Sequence, residues 1–365
     1  MAGLIDTMKV IHLPTSVGGN SWGLSRGERQ LGISSDVLYE SNNWIDYPCD
    51  ILAPVSNNVY KRYLSLVPLL MELINKYDVF HFNYGKTLFD WYGVINNIEL
   101  PLLKGKKVCV TYNGCDARQK YKTIEREDIC CCKYEDCYGG VCNSIKQDRI
   151  KEKRIKKFER FGAHFFSLNP DLMHYLPQNA TFLPYTICHW DRIERLREGV
   201  QSKKVIKVVH APTNRTVKGT DAVIRAVENL KKAGNQVELT LVEKMSNDEA
   251  LKKYAEADIV VDQLRIGWYG AFAVEVMRMG KPVVAYINEN DLKFIPSEMS
   301  RDCKEAIINA NEYTIEDVLG RYIDNREELK QKCDAQWEYV NKWHNPVYVA
   351  SITKKIYEGD TKCKI

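Results

Sequence analysis

Two segments in the second half of the chain carry residue types suited to a phosphorylated ligand. The first is His210-Ala-Pro-Thr-Asn214-Arg215-Thr-Val-Lys218-Gly219-Thr220, directly after an apolar strand-like run over 205–210. It sets an Arg and a Lys just before an expected helix N-terminus. Free N–H groups and the positive end of the helix dipole attract anions there, so the segment could cradle a diphosphate. Taken alone, it reads equally well as a polar strand-to-helix loop with two solvated cations. The second segment runs from Asp262 through Gly267, Trp268, Tyr269, Gly270, Ala271 and Glu275 to Gly280-Lys281-Pro282. Gly267 and Gly270 let backbone approach a ligand closely. Glu275 falls one turn into the next helix, and its neighbours Val274, Val276 and Met277 argue against full exposure. A carboxylate in that place can accept two hydrogen bonds from a ribose diol.

The first half offers weaker candidates. Gly18-Gly19 follows its first strand-like run, and Asp116 and Arg118 follow a later one within Thr111-Tyr112-Asn113-Gly114-Cys115-Asp116-Ala117-Arg118. His81 sits within another strand, where a satisfied buried imidazole is at least as good a reading as a reacting group. Five of the 12 cysteines crowd between 130 and 142. In a reducing compartment such a cluster offers a structural zinc site at Cys130, Cys132, Cys137 and Cys142; unligated or redox-variable thiols and disulfides are the alternatives. Three familiar signatures fail. Gly85-Lys86-Thr87 lacks the upstream glycine of a phosphate loop, because Phe80 stands there. Gly18-Gly19 and Gly23 do not have dinucleotide-fold spacing, and no Asp-x-Asp pair would hold a divalent cation against a diphosphate.

These residues need rigid elements to position them, and the pattern supplies strands alternating with helices. In the first half, strands are expected over 8–13, 35–39, 78–82, 107–112, 163–168 and 181–184. Helices are expected over 21–31 and 57–77, the latter kinked at Pro68 with Leu64, Val67, Leu70, Met71 and Ile74 inward. In the second half, strands over 205–210, 237–242, 258–261 and 282–287 alternate with helices over 219–230, 246–255 (capped by Ser246) and 271–279. The helix over 219–230 turns Val223, Ile224, Val227 and Leu230 inward. The expected fold class is α/β: two Rossmann-like domains of parallel sheet, joined near 185–199 and facing a central cleft, with ligands at the carboxyl ends of the strands. The domains are expected at 1–190, with a Cys-rich insertion near 130–142, and at 191–340. Residues 341–365 form a C-terminal helix returning to the first.

Composition narrows the function. The 365 residues are 45% hydrophobic and 27% charged, as in globular chains, so disordered and collagen-like classes fall away. A net charge of +4, from 52 Lys+Arg against 48 Asp+Glu, gives no general attraction to nucleic acid. With no apolar run long enough to span a bilayer and no leader-like N-terminus, the expected location is the cytoplasm. The basic stretch 146–161, with Ile150, Phe158 and Phe161 at partly helical spacing, reads first as a solvated face. A sharper reading lays it on an anionic inner membrane face.

The pair of donor-like segments resembles the second half of GT-B-fold glycosyltransferases, family 4 and its relatives. That family's run is Glu-Gly-Phe-Gly-x4-Glu-Ala-Met-Ala-x-Gly-x-Pro-Val. Here Gly267-Trp268-Tyr269-Gly270-x4-Glu275-Val276-Met277-x2-Gly280-x-Pro282-Val283 matches it. The resemblance implies a hexosyltransferase-like enzyme of EC 2.4 type that joins a nucleoside-diphosphate sugar to a hydroxyl of a glycan or lipid-linked acceptor. Retention of configuration and no metal or other cofactor for catalysis also follow from it. It implies that Arg215 and Lys218 hold the diphosphate and that Glu275 binds the ribose. His210, Asn214, Gly219, Tyr269, Gly270 and Ala271 would surround the donor, Gly18 and Gly19 would line the cleft, and Asp116 or His81 would stand near the reacting carbon. Two departures are visible: Gly267 replaces the first Glu of the family's pair, and the Arg-to-Lys gap is short. The alternatives are a nucleotide-sugar epimerase of the same fold and a catalytically silent sugar-nucleotide-binding protein.

Overall fold

Residues 7–15, 17–40, 47–54, 56–90, 98–196, 205–245 and 247–360 are described by the computed structural model. The Ser246 cap, the end of the expected linker at Gly199, and Cys363 lie outside them. Short β-branched and aromatic runs form strands, and amphipathic runs form helices between them. The first stretch is β1 (Lys9–Leu13), α1 (Asn20–Gln30), β2 (Ser34–Tyr39), β3 (Ile51–Leu52), α2 (Val59–Lys76), β4 (Val79–Asn83), β5 (Lys107–Tyr112), α3 (Lys120–Arg126), α4 (Ile145–Phe161), β6 (His164–Ser167) and β7 (Thr181–Phe182). Next come β8 (Ile206–His210), α5 (Arg215–Lys218), α6 (Thr220–Lys232), β9 (Val237–Leu241), α7 (Asn247–Glu256), β10 (Ile259–Val261) and α8 (Ala271–Arg278). The chain ends with β11 (Val283–Ala285), α9 (Ser297–Ala306), β12 (Ile308–Asn309), α10 (Ile315–Asp324), α11 (Arg326–Trp343) and α12 (Pro346–Tyr357).

Two units emerge. The first comprises Met1–Arg118, Arg149–Cys188 and Asn345–Ile365, so α12 belongs to it; the second comprises Gln119–Asp148 and His189–His344. The Cys-rich segment, expected as an insertion of the first domain, packs within the second unit instead.

The first unit is built on a seven-stranded parallel sheet of order β3-β2-β1-β4-β5-β6-β7. Its register aligns Leu13, Phe82, Val110 and Phe165 on one face and His12, His81, Cys109 and His164 on the other. The apolar face packs against Leu66, Leu70 and Leu73 of α2 and against Ile155 and Phe158 of α4. This corrects one expectation. α2 turns Leu66, Leu70 and Leu73 inward and leaves Leu64, Val67 and Met71 exposed, with the helix continuing through Pro68. It is apolar around most of its circumference, so the 3.6-residue period alone does not select the core side. α4 sets Ile155 and Phe158 in the core, while Ile145 is exposed and Ile150 and Phe161 are half-buried. The opposite sheet face carries α1 and α12. Gly27 of α1 is needed there, because a Cβ would come within 2.0 Å of the Pro346 carbonyl oxygen.

The second unit has a five-stranded parallel sheet of order β12-β11-β10-β8-β9. Ala222, Val223, Ala226, Val227 and Leu230 of α6 cover one face with Leu319 of α10. Ile224 is only half-buried. From β8 the chain turns to β9 on one side, and from β10 to β11 on the other. The carboxyl ends of β8 and β10 therefore form a switch point, where loops diverge and leave room for a ligand.

Candidate functional site

The two loops at that switch point are 211–219 and 262–270. β8 and β10 pair with His210 opposite Val261, which brings the loops side by side. Asn214 caps α5 by accepting from the Val217 N–H at 3.0 Å. Gly219 then adopts φ +74°, and a Cβ there would press within 3.1 Å of Leu264 Cβ. This tight turn delivers Lys218 to the second loop. Its Nζ donates to Asp262 Oδ1 at 2.5 Å, and Asp262 Oδ2 accepts the Gly270 N–H at 2.7 Å. Asp262 is thus a fully buried carboxylate holding both a cation and the N-terminal N–H side of α8. Gly270 has no side chain to fill the space before Lys218 Nζ and Asp262; a Cβ would lie 3.8 and 3.6 Å from them.

Glu275 lies one turn further along α8. It is 9% exposed, and among the described residues no protein group donates a hydrogen bond to its carboxylate. Burial alone pushes its pKa up to about 7. Tyr254 lies close enough for the Glu275 charge to raise its phenol, although burial is the larger cause, and its ring meets Phe272 edge-on at 4.8 Å. A buried carboxylate that lacks a protein donor among the described residues is a ready acceptor for a pair of ligand hydroxyls.

Other expected ligands of the donor are occupied by the protein. Arg215 is exposed and pairs bidentately with Glu243 at 2.8 and 2.6 Å, so it does not share Lys218's carboxylate. His210 is buried with both ring nitrogens engaged. The Val261 carbonyl can only accept, so Nδ1 donates to it at 2.8 Å and Nε2 accepts from the Thr220 hydroxyl at 2.9 Å. Burial lowers its pKa to about 4, fixing the neutral ring as a brace between β8, β10 and α6. The Tyr269 hydroxyl is spent on Tyr339 at 2.6 Å and His344 Nε2 at 2.8 Å. Ala271 opens α8 and is half-buried.

The Cys-rich segment packs beneath these loops. Cys130, Cys131, Cys132 and Cys137 form a small core with Val217 of α5, and Ile266 lies against it. The Cys131 N–H donates to the Arg265 carbonyl at 2.8 Å, and the Thr216 hydroxyl donates to Asp136 at 2.7 Å. Arg265, 2% exposed, joins Glu312, Asp221 and the Thr216 carbonyl, and its guanidinium lies 3.9 Å from the centre of the Tyr134 ring. The sequence did not single out Arg265; its signal was an arginine set between Leu264 and Ile266. Among the described residues, the group of His, Cys, Asp and Glu ligand atoms within 4.8 Å of one another is His12, Glu28 and His81. Cys130, Cys132 and Cys137 are buried in the small core, Cys142 is half-buried, and a hydrogen bond with Cys132 together with burial drives the Cys130 thiol upward.

In the first unit, His12, Glu28 and His81 form a buried polar knot. Glu28 accepts from His12 at 2.8 Å, Ser35 at 2.6 Å, Thr353 at 3.0 Å and Tyr357 at 2.9 Å. Burial raises the Glu28 carboxyl, but the His12 charge and these hydrogen bonds outweigh it, so its pKa is lowered. His81 bonds Tyr357 and Thr111 and is held far below its usual range, by burial first and then by its histidine neighbours. It is a satisfied core imidazole, and this corrects its candidacy for chemistry. Asp116 turns back to accept the Asn113 and Gly114 N–H groups, and Arg118 forks onto Asp171 at 2.7 and 2.9 Å. Gly18 and Gly19 lead into α1 with φ +62° and +68°; a Cβ on Gly19 would clash at 2.8 Å with Cys188 Cβ.

No family model matches the sequence, and no curated protein matches it. Solved structures do match by fold. Sucrose-phosphate synthase from Thermosynechococcus elongatus shares 13% identity at TM-score 0.62, over 98% of this chain and 100% of that one. The catalytic domain of starch synthase IV from Arabidopsis thaliana, bound to ADP and acarbose, shares 11% at TM-score 0.60, over 98% and 100%. WaaG, a glycosyltransferase involved in lipopolysaccharide biosynthesis, shares 13% at TM-score 0.52, over 96% and 100%. The fold is therefore GT-B, like that of group 1 glycosyltransferases: two α/β Rossmann-like units with the last helix in the first.

Proposed function

We propose that this chain is a glycosyltransferase of EC 2.4 type. It transfers a sugar from a nucleoside-diphosphate sugar to a hydroxyl of a glycan or lipid-linked acceptor, with retention and without a metal. It acts in the cytoplasm at the inner membrane face. Among the described residues no helix is long and apolar enough to cross a membrane. The observation that carries the reading is Glu275, a buried carboxylate pushed up to about 7 by burial, with no protein donor among the described residues. A ribose diol supplies two donors to it.

Lys218 and the free N–H groups at the start of α8 then meet the diphosphate. Asp262 keeps Lys218 aimed at that helix end before a donor arrives. As the bond from the anomeric carbon to the diphosphate oxygen breaks, charge gathers on the departing group, where a fixed cation and helix dipole stabilise it. The acceptor oxygen bonds the same carbon, and its proton passes to the leaving diphosphate. Arg215 reaches the phosphates only by leaving Glu243, so Lys218 takes the larger share.

The test is a panel of nucleotide sugars against the wild type and Glu275→Ala. Thermal stabilisation by one donor, and release of nucleoside diphosphate only when an acceptor is present, both lost in the variant, are expected. Conversion of the donor to an isomeric nucleotide sugar, with no net release of nucleoside diphosphate, would favour the epimerase, and equal stabilisation of the variant would refute Glu275 as the ribose ligand.

A further inference from the structure

We propose that Glu127 is the carboxylate that reads the hydroxyls of the transferred sugar, in place of a side chain that Gly267 cannot supply. This rests on the transfer reading above, which sets the ribose at Glu275 and the diphosphate at the start of α8, where Gly270 is the cap. Ribose, diphosphate and sugar are bonded in that order. The sugar therefore continues past the helix start to the part of the 262–270 loop that precedes Gly270. Gly267 lies there, where the matching motif has a Glu. Sugar hydroxyls bond most strongly to a charged acceptor. The loop has one carboxylate of its own, Asp262, and it is already held by Lys218 Nζ and the Gly270 N–H.

The space beside Gly267 leads to Glu127. Gly267 adopts φ +80°, and a Cβ built on it would come within 3.0 Å of Asn288 Cβ and 3.7 Å of Tyr286 Cε1. The Asn288 N–H donates to the Gly267 carbonyl at 2.9 Å. The side-chain amide of the same Asn288 donates to Glu127 Oε2 at 2.6 Å. Tyr286 gives a second sign of the same closeness. Its phenol is pushed up to about 12, by burial first and by the Glu127 charge next. Both residues that a side chain on Gly267 would meet are thus neighbours of Glu127.

The segment that carries Glu127 holds it in place. Asp148 accepts the Lys120 and Tyr121 N–H groups at the start of α3, at 2.9 and 3.0 Å. Glu127 follows the last residue of α3, and its own N–H closes on the Thr123 carbonyl at 2.9 Å. Four residues on, the Cys131 N–H bonds the Arg265 carbonyl of the 262–270 loop. Arg126 Nε donates to Glu127 Oε1 at 2.6 Å, so each carboxylate oxygen accepts one protein bond and keeps capacity for another. The side chain is 13% exposed, neither sealed in a core nor spread into solvent. A carboxylate so placed favours a neutral polyhydroxyl sugar. It opposes a uronate, whose own negative charge it would meet in a poorly solvated crevice.

The full-length protein is titrated with UDP, ADP and GDP, then with hexose and glucuronate conjugates of the diphosphate it binds. Glu127→Gln keeps the shape, and its amide carbonyl can still accept from Asn288. It should bind the free diphosphate as the wild type does, while its affinity for the hexose conjugate falls about 10–100-fold and kcat/KM falls with it. Its discrimination against the glucuronate conjugate should relax, a gain that loss of a purely structural tie would not produce. Glu127→Asp keeps the charge one methylene further back and should lie between the two. Glu275→Ala should instead weaken diphosphate and conjugate alike, so the two assignments fail separately. If the Gln and Asp variants keep the wild-type ratio of conjugate to diphosphate affinity, or lose both ligands equally, the proposal is overturned and Glu127 only ties its segment to Asn288. A wild type that binds no diphosphate overturns the transfer reading and this assignment with it.

Discussion

Glu275→Gln should stabilise the ligand-free protein above neutral pH while destroying its affinity for donor. The carboxyl rises from its ordinary value to about 7 through burial. Between pH 4.5 and 7, the folded protein keeps a proton that the unfolded chain has released. Folding stability therefore falls as pH rises through that window, and the loss is complete above it. A shift of about 2.5 units corresponds to about 3 kcal/mol. Glutamine keeps the shape and has no charge to desolvate. At pH 8 the variant should unfold roughly 6–12 °C higher in the transition belonging to the second unit, and at pH 5 the two should nearly coincide. Calorimetry over pH 5–8.5 reads this directly. A bound ribose diol favours the ionised form, so wild-type donor affinity should rise with pH toward a plateau above 7, with proton uptake by buffer on binding. The variant should show neither. A wild type whose stability is flat between pH 5 and 8, or a variant that still binds nucleoside diphosphate with native affinity, would refute the assignment of a desolvated, ligand-facing carboxylate.

Four further outcomes are expected. Lys218→Ala leaves Asp262 buried with only the Gly270 N–H as partner; it should cost about 3–5 kcal/mol in denaturant unfolding and abolish donor-dependent stabilisation. Arg265→Met leaves Glu312 with the Tyr134 hydroxyl but without its cation and strands the Thr216 carbonyl, with a cost of similar size, about 3–5 kcal/mol, and Arg265→Lys should not rescue it, since one ammonium cannot reach Asp221, Glu312 and Thr216 together. Acid should loosen α12 first. Glu28, lowered, loses its stabilising ionisation as pH falls through its depressed pKa, and His81, lowered, favours the unfolded chain below about pH 6.5. Hydrogen exchange at α12 should therefore speed up as pH falls below about 6.5, from His81, and again below about 4.5, from Glu28, with only the second step reduced in Glu28→Gln. Finally, turnover should be unchanged by a chelator; loss of activity restored by a divalent cation would overturn the metal-free mechanism.

The alternation of strand and helix was legible because each period is set locally, and the parallel sheets follow from it. The burial of Glu275 was legible too, because Val274, Val276 and Met277 beside it argue against exposure. Facing was not legible where a segment is apolar on more than one side. α2 offers both Leu66-Leu70-Leu73 and Leu64-Val67-Met71 at helical spacing, and only the sheet it meets chooses between them. Partners separated by long stretches were equally hidden. Across the 44-position separation of Lys218 and Asp262 there is no sign that the cation has its own carboxylate, and nothing near Arg215 marks Glu243 as its partner. The histidines show the same limit: His210 and His81 look like chemistry in a string of letters, yet each has both ring nitrogens bonded within its unit. The cysteines show the same limit. Their density was legible, but what they pack against was not. Cys130, Cys131, Cys132 and Cys137 share a small core with Val217, with Ile266 against it, which ties a segment from the first half of the chain to the loop that carries Lys218. Contact, not sequence position, therefore decides which unit that segment serves. A substitution in the Cys-rich turns should be read first as a change in the donor loop's support.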